Sequence, residues 1–429
     1  MSPAQAGEKT WFGQPRGLTV LFLTNMWEQF SYYGMRALLV YYMTKELMFG
    51  QAHASLVYGF YTATAYFTPI FGGVIADRYL GKRRAILIGG SVMALGHFMM
   101  TFEPLFYAAL VTIALGNGLF LPSLPSQIDD LYKNGDPRVG WAYNVYYVGV
   151  NIGGFMAPLI CGTLGELYGW HWGFGVAGVG MVLGLLIYIW GQRYLPEQSR
   201  QSSARSIDPL AGSFSKFPRD VLLLLGAIAL SVVVFRGAYE QVGNTVALWA
   251  DSGVDRQVGS GEVPMTWFQS LNPLLVMVMT PFLLTWWRQR AERGTREQPA
   301  RKMATGALIV GSAYLMLGGL EALGGPTHWL WLVGFFVIFT FGELYILPTG
   351  LGLFARLAPA GLGATTVALW YLTIFAGSLS AGVVGTLWSR MDHAVYFFLL
   401  AALAAIAALL LRAISPMEQR VEDRQRETD

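Results

Sequence analysis

Five ionisable side chains fall near the middles of long apolar stretches: Glu28 and Arg36, Arg236 and Glu240, and Glu343. A charge at the centre of a bilayer costs roughly 2.5–3.5 kcal/mol on insertion scales, so such groups face protein or water and mark ion and substrate paths. Arg236 and Glu240 are four residues apart, share a helix face and can pair. That pair reads equally as a structural staple and as a coupling element. Glu28 and Glu343 have no basic residue three or four positions away, which points to function. A carboxylate for which a proton, a substrate amine and an arginine compete links proton binding to substrate binding, and such linkage is reciprocal.

Aromatic residues accompany these charges. Tyr32 and Tyr33 follow Glu28 by one turn, and Tyr143, Tyr146 and Tyr147 precede Asn151. Tyrosine joins an apolar body to a polar tip and suits a pocket wall. Tyr66 and Trp370 lie in other stretches, and Trp267, near a stretch end, reads as an interfacial anchor. His53, His171, His328 and His393 fall at stretch ends, while His97 lies inside one and reads as a satisfied packing residue. Cys161, the single cysteine, reads as a small buried hydrophobe. No metal-ligand spacing, phosphate-binding glycine loop or nucleophile–base motif occurs, so neither an enzyme nor a metal or organic cofactor is expected.

The elements that hold these groups are helices in lipid. The 429 residues are 54% hydrophobic and 13% charged, against about 25% charged in soluble chains. A span needs roughly 20 apolar residues. Twelve stretches qualify: about 18–43, 54–76, 85–103, 105–128, 139–165, 172–194, 221–250, 264–287, 303–322, 329–355, 362–388 and 392–412. With both termini cytoplasmic, 24 of the 29 basic residues fall inside and only Lys45, Arg256 and Arg390 outside. That is the positive-inside bias. The net charge of +3 therefore carries no sign of a nucleic-acid partner. Short outside loops and the absence of Asn-x-Ser/Thr suit a bacterial inner membrane.

The longest polar break, 196–219, reads as a cytoplasmic linker between two six-helix bundles, 1–195 and 220–415, with a polar cytoplasmic tail at 416–429. The expected fold class is an all-α polytopic membrane protein of twelve transmembrane helices. Paired bundles of this kind place their site near the midplane. Pro69, Pro122, Pro125, Pro273, Pro281 and Pro348 predict breaks in four spans, tolerated where backbone faces protein or a cavity.

The run Gly73-Val-Ile-Ala-Asp77-Arg78-Tyr-Leu-Gly81-Lys-Arg83-Arg resembles the major facilitator motif between spans two and three. Extended through Gly96, it is similar to a signature of the proton-coupled oligopeptide transporters. Tyr143 through Phe155 resembles that family's second signature, and Gly169–Gly175, Tyr239-Glu240-Gln241, Trp267 through Pro273 and Gly342-Glu343-Leu344 with Pro348 look like further landmarks. The resemblance covers nearly the whole chain and implies the major facilitator fold, with roles for particular residues. Glu343 would receive a peptide's amino terminus, and Asn151 and Asn272 would hold its backbone or termini. Tyr32, Tyr33 and Trp370 would line the pocket. Glu240 would serve proton coupling together with Glu28. Asp77, Arg78 and Arg83 would belong to the cytoplasmic gate.

The chain also departs from that pattern. The first-helix Glu-x-x-Glu-Arg motif reads Asn25-Met-Trp-Glu28-Gln29, the usual fourth-helix lysine position holds Leu121, and the serine before the tenth-helix proline is Leu347. Arg236 is an addition that would restore a lost cation. The linker is too short for the two extra helices of many bacterial relatives, and the large outside domain of animal relatives is missing.

The resemblance thus implies a monomeric secondary transporter that uses the proton as coupling ion and takes up di- and tripeptides or peptide-like molecules by alternating access. With the expected cations replaced, a modified or non-peptide substrate (a siderophore, amine or drug) stays open, as does a facilitator or exporter without proton symport.

Overall fold

The computed structural model describes residues 10–11, 13–133, 136–196, 217–293, 298–358 and 363–428. Most of the linker expected at 196–219 lies outside them. Twelve long helices form: α1 Arg16–Tyr41, α2 Gln51–Ile75, α3 Lys82–Met99, α4 Phe106–Ser123, α5 Arg138–Ala157, α6 Trp170–Gly191, α7 Arg219–Tyr239, α8 Leu271–Glu292, α9 Pro299–Leu323, α10 Trp329–Arg356, α11 Gly363–Gly385 and α12 His393–Thr428. They match the twelve expected stretches. Among the described residues, α4 to α12 are the nine helices long and apolar enough to cross a membrane by length and composition alone. The first three fall short for visible reasons. Asn25, Glu28, Gln29 and Arg36 interrupt α1, tyrosines and threonines dilute α2, and α3 starts on Lys82, Arg83 and Arg84.

Pro125 stands in the short break between α4, which ends at Ser123, and a helical turn Ser126–Asp129, but the other five prolines do not break their helices. Pro69, Pro122, Pro281 and Pro348 all lie within continuous helix, as does Pro273 near the start of α8. A proline removes one donor, and the remaining ladder of a buried membrane helix carries on. Another interruption comes without proline, where α7 gives way after Tyr239 to a tight turn at Glu240–Gly243 before a second helical segment, Thr245–Ser252. At the other end of the chain α12 runs through Pro416 to Thr428, so the expected tail is helical.

By packing, the chain forms two compact units. One comprises Met1–Leu38 with Thr68–Ser206, the other Leu39–Phe67 with Ile207–Asp429. In the first, α3 packs along α4 and α6 over a core that includes Leu21, Ile86, Met93, Phe120, Met181 and Tyr188.

In the second unit, α9 packs on α10 and α12, and α7 on α11 and α12. Its core is rich in rings, with Tyr314 edge-on to Phe335 at 5.3 Å and stacked on Phe397 at 6.5 Å. Residues 39–67 are tied into this unit by polar bonds. Tyr41 donates to the Ala247 carbonyl at 2.7 Å, Ser55 to Asn244 Oδ1 at 3.0 Å and Gln51 to the Gly385 carbonyl at 2.9 Å. Lys45 pairs with Asp251 at 2.7 Å. Where α9 meets α10, a Cβ on Gly342 would stand 2.7 Å from the Gly306 carbonyl oxygen, and one on Gly306 2.5 Å from that of Gly342. Only glycine permits this approach, and it sets the height and rotation of the next residue, Glu343.

Candidate functional site

The turn that ends α7 builds the first part of the site. A break inside a membrane frees backbone groups, and these need partners. One side chain, Gln241, meets one of these needs and ties the turn to its surroundings through three further bonds. Gln241 Nε2 donates to the Gly237 and Ala381 carbonyls at 2.9 and 2.8 Å. Its Oε1 accepts from Asn244 Nδ2 at 3.2 Å and Thr245 Oγ1 at 3.1 Å. The Tyr314 hydroxyl donates to the Ala238 carbonyl at 2.7 Å. The turn is thereby fixed, and Arg236 and Glu240 hold a defined position, each 2% exposed.

The ion pair expected from their spacing forms between Arg236 Nη2 and Glu240 Oε1. Arg236 Nη2 also donates to Ser378 Oγ at 3.2 Å. Its guanidinium lies 5.5 Å from the Tyr66 ring centroid and 5.3 Å from that of Tyr239. Gly377 leaves room for the arginine, since a Cβ there would stand 2.7 Å from Arg236 Cβ. Stacked rings and a buried carboxylate suit arginine better than lysine, because its planar, weakly hydrated charge tolerates both.

Glu343, 8% exposed, is the second part. Its Oε1 accepts from the Tyr239 hydroxyl at 2.6 Å and its Oε2 from Asn272 Nδ2 at 2.5 Å. Asn272 Nδ2 also reaches Thr340 Oγ1 at 3.1 Å. Among the described residues no basic side chain forms an ion pair with Glu343. Two neutral donors therefore orient a buried carboxylate, and a bound cation would meet its charge.

The structure thus brings Arg236, Glu240, Asn272 and Glu343 together in the second unit. Trp370, expected as a pocket wall, is 4% exposed and belongs to that unit's core. It packs edge-on to Phe354 at 5.2 Å and fills the space beside Gly350.

The remaining expected residues lie in the first unit. Glu28 is 1% exposed and accepts from Gln29 Nε2 at 2.7 Å, while Asn25 Nδ2 donates to the Tyr146 carbonyl at 3.2 Å. Tyr32 and Tyr33 meet edge to face at 5.4 Å. Asn151 Nδ2 donates to the Tyr147 carbonyl of its own helix at 2.9 Å. Asp77 and Arg78 occupy the wide turn Ala76–Leu80 that follows α2. Arg83 donates to the Leu195 and Pro196 carbonyls at 2.9 and 2.7 Å, and Lys82 pairs with Asp130 at 2.7 Å. His97 is fully buried, and among the described residues neither ring nitrogen has a hydrogen-bond partner.

Tyr239, Thr340 and Ser378 are site residues that sequence reasoning misses. Tyr239 carries a signal, standing three residues after Arg236 and next to Glu240. Thr340 precedes Glu343 by three residues, one turn of the same helix. Ser378 is one of many hydroxyls in apolar helices and offers none.

Comparison with known proteins bears on the family and the fold. The sequence profile of the POT family matches residues 83–208 and 219–402. The chain is 31% identical over 480 aligned positions to a protein named uncharacterized transporter YclF of Bacillus subtilis (strain 168), covering 96% of both chains. It is 30% identical to the di-/tripeptide transporter of Lactococcus lactis subsp. cremoris, covering 95% of this chain and 96% of that one. A crystal structure of a peptide transporter POT in complex with sulfate superposes with a TM-score of 0.87 at 29% identity, over 96% of this chain and 97% of the other. The chain belongs to the POT family, a multi-pass membrane protein of the major facilitator type with twelve helices.

Proposed function

We propose that this chain is a secondary transporter that couples an inward proton flux to uptake of small peptides or peptide-like molecules across the bacterial inner membrane, with both termini cytoplasmic. The observation that carries the reading is Glu343, a buried carboxylate held by Tyr239 and Asn272. An arriving α-ammonium group supplies the positive charge, and charge-assisted hydrogen bonds of this kind are about twice as strong as neutral ones. The di-/tripeptide transporter among the relatives supports the substrate class. Glu240, buried against Arg236, and Glu28, buried beside Gln29, are the proton sites of the proposal. The positive-inside distribution of Lys and Arg supports the orientation.

Reconstituted liposomes test the reading. An inside-alkaline gradient and a negative-inside potential are imposed, and labelled dialanine is followed. Uptake that collapses with a protonophore and in Glu343→Gln is expected. Uptake that persists in Glu343→Gln would refute the role of this carboxylate.

A further inference from the structure

Tyr239 touches both halves of the site. Its hydroxyl donates to Glu343 Oε1 at 2.6 Å, and its ring lies 5.3 Å from the Arg236 guanidinium. The ring stacks on Phe339 of α10 at 5.3 Å and 22° and leans on Phe235 at 5.8 Å. Its neighbour Glu240 holds the other side of Arg236. We propose that Tyr239 is the positioning residue through which the buried Arg236–Glu240 pair and the substrate carboxylate Glu343 sense each other. This rests on the transport reading above.

The physical route is short. While Glu240 is ionised it neutralises much of the guanidinium charge. A proton on Glu240 removes that compensation, and the arginine then polarises the Tyr239 ring more strongly. A ring drawn toward a cation makes its hydroxyl a better donor, so the bond to Glu343 tightens. In the reverse direction, an ammonium group on Glu343 competes with the hydroxyl, and the change returns through the ring to Arg236. The first link is the cation–ring contact and the second the hydrogen bond, and a low-dielectric interior strengthens both.

Among the described residues, the charged side chains that act on Tyr239 are Arg236 and Glu240 from α7 and its turn and Glu343 from α10, with Tyr314 from α9 and Tyr66 from α2 on its neighbours Ala238 and Arg236. Tyr314 is committed to the Ala238 carbonyl, and Tyr66 contacts Arg236 through its ring. Among these groups Tyr239 is the one both bonded to Glu343 and in contact with Arg236.

The test is the affinity of the full-length purified protein for dialanine at pH 5.5 and pH 7.5. Coupling energies between sites correspond to about 5–150-fold in affinity. The wild type is expected to show a ratio of at least about fivefold. Tyr239→Phe keeps the ring and removes the hydroxyl, and the ratio is expected to fall below about twofold while binding persists. A wild-type ratio retained in Tyr239→Phe overturns the inference and leaves the transport reading intact. A wild-type ratio of one, or undiminished binding in Glu343→Gln, overturns the reading and the inference with it. If Tyr239→Phe does not fold, Phe339→Leu, which unseats the ring and spares the hydroxyl, reads the same link: a reduced ratio supports it and an unchanged one overturns it.

Discussion

Replacing Asn272 by alanine removes the donor on Glu343 Oε2, 2.5 Å away, and leaves Tyr239 on the other oxygen. If Glu343 is ionised, the lost bond is charge-assisted and worth about 1.5–3 kcal/mol; a neutral bond in the same place is worth about 0.5–1.5 kcal/mol. The two cases separate in a double-mutant cycle with Glu343→Gln, which keeps the shape and removes the charge. Asn272→Ala should cost the larger amount in the wild type and the smaller in Glu343→Gln, a coupling of about 1–1.5 kcal/mol. At about 2–4 °C per kcal/mol for a body of 150–250 residues, the wild-type midpoint should drop by about 3–12 °C. The assay is thermal unfolding of the four purified proteins in one detergent at pH 7.5. Equal losses in both backgrounds would show that Asn272 does not hold a charged Glu343, and the argument for an ammonium site would fall.

Three further outcomes follow from the packing and the loops. Gly342→Ala should destabilise the protein by about 1–3 kcal/mol through overpacking and abolish dialanine uptake, because its Cβ meets the Gly306 carbonyl at 2.7 Å; Gly352→Ala, with nothing within 4 Å, should leave the thermal midpoint level or raised. In the loop before α5, the Arg138 side chain and backbone N–H hold the Asp136 carboxyl below its usual range. A depressed carboxylate stabilises the fold fully above its unfolded pKa of about 3.9 and ceases to do so as pH falls through the lower folded value. The midpoint difference between wild type and Asp136→Asn should therefore shrink on acidification below about pH 4. Lys45→Glu should cost no more than about 1 kcal/mol in thermal unfolding, as expected of an exposed pair. Asp251 also reaches Arg256 at 3.5 Å, so the double-mutant cycle uses Asp251→Asn: no coupling between the two substitutions would show that the 2.7 Å contact contributes nothing.

The helices are legible because lipid imposes a length and a polarity on each span, and only the exact ends and the proline effects escape. A proline deletes one donor, whereas the turn at Glu240–Gly243 is tied in place by one side chain in four bonds. That side chain is Gln241, which bonds the Gly237 and Ala381 carbonyls and the Asn244 and Thr245 side chains.

The site divides along the same line. Glu343, Arg236 and Glu240 are visible because a charge in an apolar stretch has no cheap explanation, and the pairing of the last two follows from a spacing of four. Thr340 is not, because a hydroxyl in a membrane helix has many innocent uses, and Tyr239 shows only within the Tyr239-Glu240-Gln241 landmark, without its bond to Glu343. Trp370, a pocket wall by resemblance, sits with its ring beside Gly350, where a Cβ would stand 2.3 Å from it. The same reasoning bears on the missing cations. Arg236 is a cation on the seventh helix, not on the first or fourth, and it is enclosed by Glu240, Ser378, Tyr66 and Tyr239. It is therefore built to modulate its neighbours, and through Tyr239 it reaches Glu343 without touching it.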